Sequence, residues 1–258
     1  MKEEKAGSNM RRKLIRRGLA VVALTLVLVP TLFWAWTRLA RHSATPEAAA
    51  LITDSVITPE GWYCFSPEHP NGTGLIFYPG GLVDPAAYAP MMTALADQGI
   101  TSIVVPMPLD LAVFGIERAT EVIAAHPQIG KWIIGGHSLG GVMAAQFVKR
   151  HPHSMGGIVF LASYPSDGAD LSDLSLSAIA VFASKDGLIT NETIQRTRKL
   201  MPAGTTEISI DGGNHSQFGN YGTQRGDGQA TITREEQQDQ TLKAIVVLVK
   251  KLNSVANQ

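Results

Sequence analysis

The chain has 258 residues, 45% of them hydrophobic, with 25 glycines, 14 prolines and one cysteine. That length suits one large core plus a short appendage, and a lone cysteine excludes an intrachain disulfide. Its 22 basic and 22 acidic residues cancel, but residues 1–41 hold nine of the former and two of the latter; the remainder has 13 and 20, a formal net charge of −7, which argues against nucleic-acid binding.

The first predicted element is an apolar helix. Gly18 to Thr37 contains no formal charge, and about 20 such residues span the hydrocarbon core of a bilayer. Lys2, Lys5, Arg11, Arg12, Lys13, Arg16 and Arg17 precede it, whereas only Arg38 and Arg41 follow closely. That bias predicts a cytoplasmic basic segment over 1–17, a single-pass anchor over 18–37 and an extracytoplasmic remainder, with Trp34 and Trp36 at the outer interface. The alternative is a cleaved signal peptide and a secreted protein, although Trp-Ala-Trp-Thr-Arg-Leu-Ala is a poor small-residue cleavage site. Residues 38–50 are expected to be a linker, so that a chain starting near Ala44 keeps every catalytic residue. A folded domain should occupy 51–258.

Within that domain, apolar strand runs alternate with amphipathic helical runs, the rhythm of a mostly parallel sheet flanked by helices. Eight strands are expected, near Ile52, Tyr63, Ile76, Ile103, Ile133, Val159, Val181 and Ile208. Helices are expected near Met91, Val122, Ala145 and Ile194, with a last one over Arg234 to Leu252. Cys64, in the aromatic run Trp62-Tyr63-Cys64-Phe65, reads as a buried structural thiol.

Leu75-Ile76-Phe77-Tyr78 runs into Pro79-Gly80-Gly81, and Asp84-Pro85 then opens a helix as N-cap and first residue. Further on, Trp132-Ile133-Ile134 leads to Gly136-His137-Ser138-Leu139-Gly140 and a helix-like run. Strand, G-x-S-x-G, helix is the context of a nucleophile elbow. The flanking glycines leave room where a Cβ would clash, and the helix N-terminus aims N–H groups at any oxyanion formed there. Leu139 is then one oxyanion donor. Gly81 is the better candidate for the second, with Leu82 the alternative.

The remaining members of a triad should follow in the order acid, histidine. Asp186 ends the strand-like run Ala178 to Ala183 and is the preferred acid; Asp167 is the runner-up, and Asp211, before Gly-Gly, reads as a turn opener. His215, on a glycine-rich loop after Thr206 to Ile210, is the expected base, whereas His151 and His153 flank Pro152 at a solvated helix end. Tyr164 to Ser177 offers only a short polar connection where a helical cap could stand, which predicts an open site. Phe218 to Ala230, with four glycines, reads as a long flexible loop that either walls the pocket or merely covers the surface. No cluster of metal ligands and no cofactor motif is evident.

Tyr78–Gly81, Gly136–Gly141 (Gly-His-Ser-Leu-Gly-Gly) and Gly212–Gly219 (Gly-Gly-Asn-His-Ser-Gln-Phe-Gly) together resemble the α/β-hydrolase superfamily, and within it an uncharacterised bacterial membrane-anchored group. The resemblance covers roughly Leu51 to Leu252. It departs from the commoner lipase and esterase pattern at Pro79, where many members carry histidine. It implies an α/β-hydrolase fold and hydrolase chemistry without fixing a substrate. The function expected is a serine hydrolase, a carboxylic ester hydrolase first of all, with Ser138, His215 and Asp186 as triad and Leu139 and Gly81 as oxyanion hole. Its partners would be a small acyl substrate and the membrane, with no cofactor. A catalytically silent binding or scaffold protein on the same fold is the rival.

Overall fold

The computed structural model describes the backbone of residues 2–255 and the side chains of residues 17–254. The side chains of Lys2, Lys5, Arg11, Arg12, Lys13 and Arg16, on which the orientation argument leans, lie outside the described residues. The chain divides into two units, Met1–Ala40 and Arg41–Gln258.

The first unit is one helix, α1 (Lys2–Leu39). Its stretch Arg17–Leu39 is long and apolar enough to cross a membrane, and Leu19, Val22, Leu26 and Trp34 stand exposed along it. Water disfavours that much bare apolar surface, so the helix needs an apolar environment. A membrane anchor and a signal sequence both present such a helix.

In the second unit, a short helix α2 (Pro46–Ala49) precedes β1 (Tyr63–Phe65), β2 (Thr73–Tyr78) and α3 (Ala89–Ala96). Then come β3 (Thr101–Val104), α4 (Arg118–Ala125), β4 (Lys131–His137) and α5 (Leu139–Arg150). The chain finishes with β5 (Gly157–Leu161), β6 (Ser177–Ala183), α6 (Asn191–Thr197), β7 (Thr206–Ile210) and α7 (Arg234–Val255). The sheet order is β1-β3-β2-β4-β5-β6-β7, and every pair is parallel except β1 with β3. This is an α/β-hydrolase fold with seven strands among the described residues rather than the eight expected. The strand expected near Ile52 is absent because the N–H groups of Ala48 to Ile52, and of Val56 and Ile57, bond locally. Thr45 caps α2, and Leu51, Ile52 and Val56 close turns onto Ala48, Ala49 and Thr53.

The sheet is buried on both faces, as its alternation requires. Leu75, Phe77, Ile133, Val159 and Val181 point to the side covered by Met91 and Leu95 of α3 and Ile245 and Leu248 of α7. Ile76, Tyr78, Ile134, Ile158 and Phe160 point to the side covered by Val122 of α4 and Ala145, Phe147 and Val148 of α5. Cys64 is half-buried, not fully buried; burial pushes its thiol pKa up, with the Ser66 hydroxyl opposing.

Strand order also locates the crevice. From β2 the chain moves outward to β3, then returns to β4 on the other flank of β2. Ligand crevices in open parallel sheets form where the order reverses, beyond the carboxyl ends of the strands. Register aligns those ends, pairing Tyr78 with Gly136 and Ala183 with Ile210. The loops after β2, β4, β6 and β7 therefore gather at one edge.

Candidate active site

Ser138 sits between β4 and α5 at φ 51°, ψ −122°, a backbone conformation that serine rarely adopts. Its surroundings hold it there. Its N–H donates to Leu161 O at 2.9 Å, and its carbonyl accepts from the buried Ser163 hydroxyl at 2.8 Å. The flanking glycines are steric requirements. A Cβ on Gly140 would collide with the carbonyl oxygens of Tyr78 and Pro79, and one on Gly136 with the Gly140 backbone. The side chain is left partly exposed at the sheet edge.

The loop after β2 faces this elbow. A Cβ on Gly81 would lie 3.1 Å from Leu139 Cδ2. Gly80 N–H donates to the Tyr88 hydroxyl at 2.9 Å, and Leu82 N–H to Asp110 O at 2.7 Å. Between them, the Gly81 N–H makes no hydrogen bond among the described residues, and neither does the N–H of Leu139. Two backbone N–H groups without partners thus lie on segments that come together at the elbow, and the N–H of Leu82, the alternative donor, is already engaged.

His215 and Asp186 meet. His215 Nδ1 lies 2.8 Å from Asp186 Oδ2, with the two side chains 1% and 5% exposed. Asp186 Oδ1 accepts from Leu188 N at 2.8 Å and from Ile189 N at 2.9 Å. The acid is thereby fixed through both oxygens. The other candidates lie elsewhere. Asp167 is exposed on a short 3-10 turn, Asp167–Ala169. Asp211 accepts from the Ser184 hydroxyl at 2.9 Å, as a turn residue does. His151 pairs with Glu117 at 2.7 Å at the far end of α5; Arg150 first, and then His151, hold the Glu117 carboxyl below its usual range.

His215 Nε2 is buried and has no hydrogen-bond partner among the described residues. Among the described residues no hydrogen bond joins Ser138 Oγ to that nitrogen. His137, the residue before Ser138, has its ring centroid 4.6 Å from that of His215.

Several residues of this site carry no signal in a single sequence. His137 occupies the variable position of the elbow motif. It is fully buried, and its Nδ1 lies 2.9 Å from the Tyr88 hydroxyl. That hydroxyl also accepts from Gly80 N–H, so Tyr88 links the His137 ring to the loop after β2, while His137 Nε2 is buried without a hydrogen-bond partner among the described residues. Burial holds its pKa well below the ordinary 6.5, and the neighbouring His215 adds to the effect. Gln237 of α7 clamps Asn214, accepting from its N–H at 2.9 Å and donating to its carbonyl at 2.8 Å.

Asp227 organises the loop expected to be flexible. It accepts from His215 N at 3.1 Å, Ser216 N at 2.8 Å, the Ser216 hydroxyl at 2.7 Å and Gly187 N at 3.3 Å. One carboxylate thus ties residues 218–230 to both the histidine and the acid loops. Phe218 and Tyr221 of the same segment are buried. Between β5 and β6 there is only the 3-10 turn already noted, and no cap domain. Among the described residues no group of three or more metal-ligating side chains occurs.

The sequence pattern of the alpha/beta hydrolase family matches residues 74–239. This chain belongs to that family. The α/β hydrolase is accordingly a hydrolase, and its fold recurs in solved structures. It is similar to the thermophilic esterase Est2 of Thermogutta terrifontis, at 14% identity and a TM-score of 0.51, covering 73% of this chain and 87% of that one. It is also similar to a CIB-like hydrolase of Thermoplasma acidophilum, at 13% identity and 0.56, covering 74% and 95%. A Mycobacterium phage D29 protein named as a non-heme haloperoxidase is 31% identical over 100 residues. That match spans 35% of this chain and 36% of the phage protein.

Proposed function

We propose that this α/β hydrolase is a serine ester hydrolase working through an acyl-enzyme. The observation that carries the reading is the buried His215–Asp186 pair, with Nδ1 held at 2.8 Å and Nε2 left without a partner beside the elbow. Asp186 orients the ring and stabilises the imidazolium. His215 Nε2 takes the Ser138 proton as Oγ attacks the ester carbonyl, then returns it to the departing alcohol. The N–H groups of Leu139 and Gly81 receive the oxyanion at the N-terminus of α5. Water, activated by the same imidazole, then releases the acid. The short Tyr164–Ser177 connection favours small or accessible esters. Two Thermogutta terrifontis esterase 2 structures of this fold are described as phosphorylated by paraoxon and phosphoramylated by tabun, which supports an organophosphorus probe here.

The same reading makes α1 an uncleaved single-pass anchor, with the N-terminus cytoplasmic and the catalytic unit outside. The enzyme assignment is tested by Ser138→Ala. Loss of hydrolysis of a short p-nitrophenyl ester by several orders of magnitude in a folded variant is expected; near-wild-type turnover would remove Ser138 from the reaction, whereas a folded wild type without any hydrolysis would favour a binding protein on this fold.

A further inference from the structure

The residues that follow the apolar helix in sequence are expected as linker, yet they are woven into the rim of the site. His42 N–H donates to Leu82 O at 2.7 Å, and His42 O accepts from Asp84 N at 2.9 Å. Thr45 N–H donates to Asn220 O at 2.8 Å, on the loop that follows His215. Between these backbone contacts sits the Arg41 guanidinium. Its Nη2 is 3.1 Å from Asp84 Oδ1, and its Nε is 3.1 Å from Asp110 Oδ2, the latter an ion pair rather than an aligned hydrogen bond.

Those two carboxylates belong to the loops that hold the Gly81 donor. Leu82 is gripped at its N–H by Asp110 O and at its C=O by His42 N–H. Asp84 caps the turn that follows, accepting from Ala86 N at 3.0 Å. Leu82, Leu109 and Asp110 lie at φ 58°, 58° and 56°, a region that non-glycine residues occupy only when their surroundings enforce it. Arg41 supplies a cation that Asp84 and Asp110 share. Its removal weakens the attraction that draws these two partly buried carboxylates, and the loops that carry them, together. The grip on Leu82 then loosens, and the direction of the adjoining Gly81 N–H is lost.

We infer that Arg41 is a positioning residue of the oxyanion hole, acting through Asp84 and Asp110 on Gly81. The inference rests on the reading of Gly81 and Leu139 as oxyanion donors. It makes the junction behind the apolar helix part of the catalytic apparatus, so that chain ends on either side of Arg41 are not equivalent.

The test uses the full chain in detergent, with active-site titration to normalise each preparation. Arg41→Gln is expected to lower kcat for p-nitrophenyl acetate about tenfold or more with KM little changed, the mark of an interaction made only in the transition state. Affinity for a trifluoromethyl ketone, whose adduct places an oxyanion in the hole, should fall by the same factor. Arg41→Lys, which keeps the charge but reaches one carboxylate at a time, should lie between the two. If Arg41→Gln lowers the melting temperature while kcat and ketone affinity stay at wild-type values, the ion pairs are structural only and the inference is overturned. Should Arg41→Gln fail to fold, wild-type turnover in Arg41→Lys overturns it equally. The underlying reading fails separately, through an active Ser138→Ala.

Discussion

Asp186 and His215 have their freedom removed by specific partners. Asp186 uses one oxygen on two backbone N–H groups and the other on His215. Asp186→Asn should therefore cost turnover far more than Asp167→Asn, by up to about four decades where the tautomer is lost. The check is kcat/KM of both variants on one ester; the reverse ranking would move the acid to the exposed turn after β5. His137 makes a different prediction. Its folded pKa is depressed below 6.5, so between the two values the unfolded chain takes up a proton that the folded chain refuses. Stability from this group is complete above about pH 6.5 and falls as the pH drops below it. Melting temperatures of wild type and His137→Gln, measured between neutral and mildly acidic pH, should diverge in slope, with the variant flatter. Gln can still hydrogen-bond to the Tyr88 hydroxyl, which separates the proton effect from a lost hydrogen bond. The turn that carries Ser138 and the pairing of Asp186 with His215 were legible because residue type, chain order and strand-end position all constrain them. His137 was not, because its role depends on a ring 78 residues away in sequence and on a tyrosine in an apolar helical run.

At the level of elements, the sheet was legible wherever apolar runs alternate with helices, and the strand ends gave the elbow and the two loops behind it. The strand expected near Ile52 failed because local turns and a capped α2 consume the hydrogen bonds that a strand would offer. The glycine-rich segment 218–230 was misread as flexible. Glycine content reports permitted conformations, whereas the segment is tied down by long-range hydrogen bonds, those of Asp227 and of Asn220 among them, and Asp-Gly in a loop looks like any turn. Asp227→Ala should free the N–H groups of His215, Ser216 and Gly187 at once. Misplacement of a catalytic group by about 1 Å can cost on the order of 10²-fold, and a kcat loss approaching that is expected. Asp227→Asn keeps an acceptor oxygen and should retain more. Comparable kcat in Asp227→Ala and wild type would show that Gln237 alone holds the histidine loop.

For the whole molecule, α1 contains a stretch that meets the length and apolarity of a bilayer span, and the basic bias around it argues for an inward N-terminus. Full-length protein should remain with membranes after carbonate washing. Mass spectrometry of the mature N-terminus should find it near Met1; a terminus between Ala35 and Ala50 would mean cleavage and secretion. The folded unit begins at Arg41, so a soluble chain starting just before Arg41 should be active, and one starting near Ala44, lacking Arg41 and His42, should be impaired. The start of the folded unit was invisible in the sequence because a polar stretch after an anchor reads as spacer, whereas its hydrogen bonds join loops more than 35 residues distant. The central claim is that Ser138 is the nucleophile, and its most direct test is covalent labelling. Wild-type protein treated with a fluorophosphonate should gain one adduct, mapped by peptide mass spectrometry to Ser138, with simultaneous loss of ester hydrolysis and no adduct in Ser138→Ala. An unlabelled Ser138 in protein that still hydrolyses esters, or an adduct at another residue that tracks the loss of activity, would contradict it.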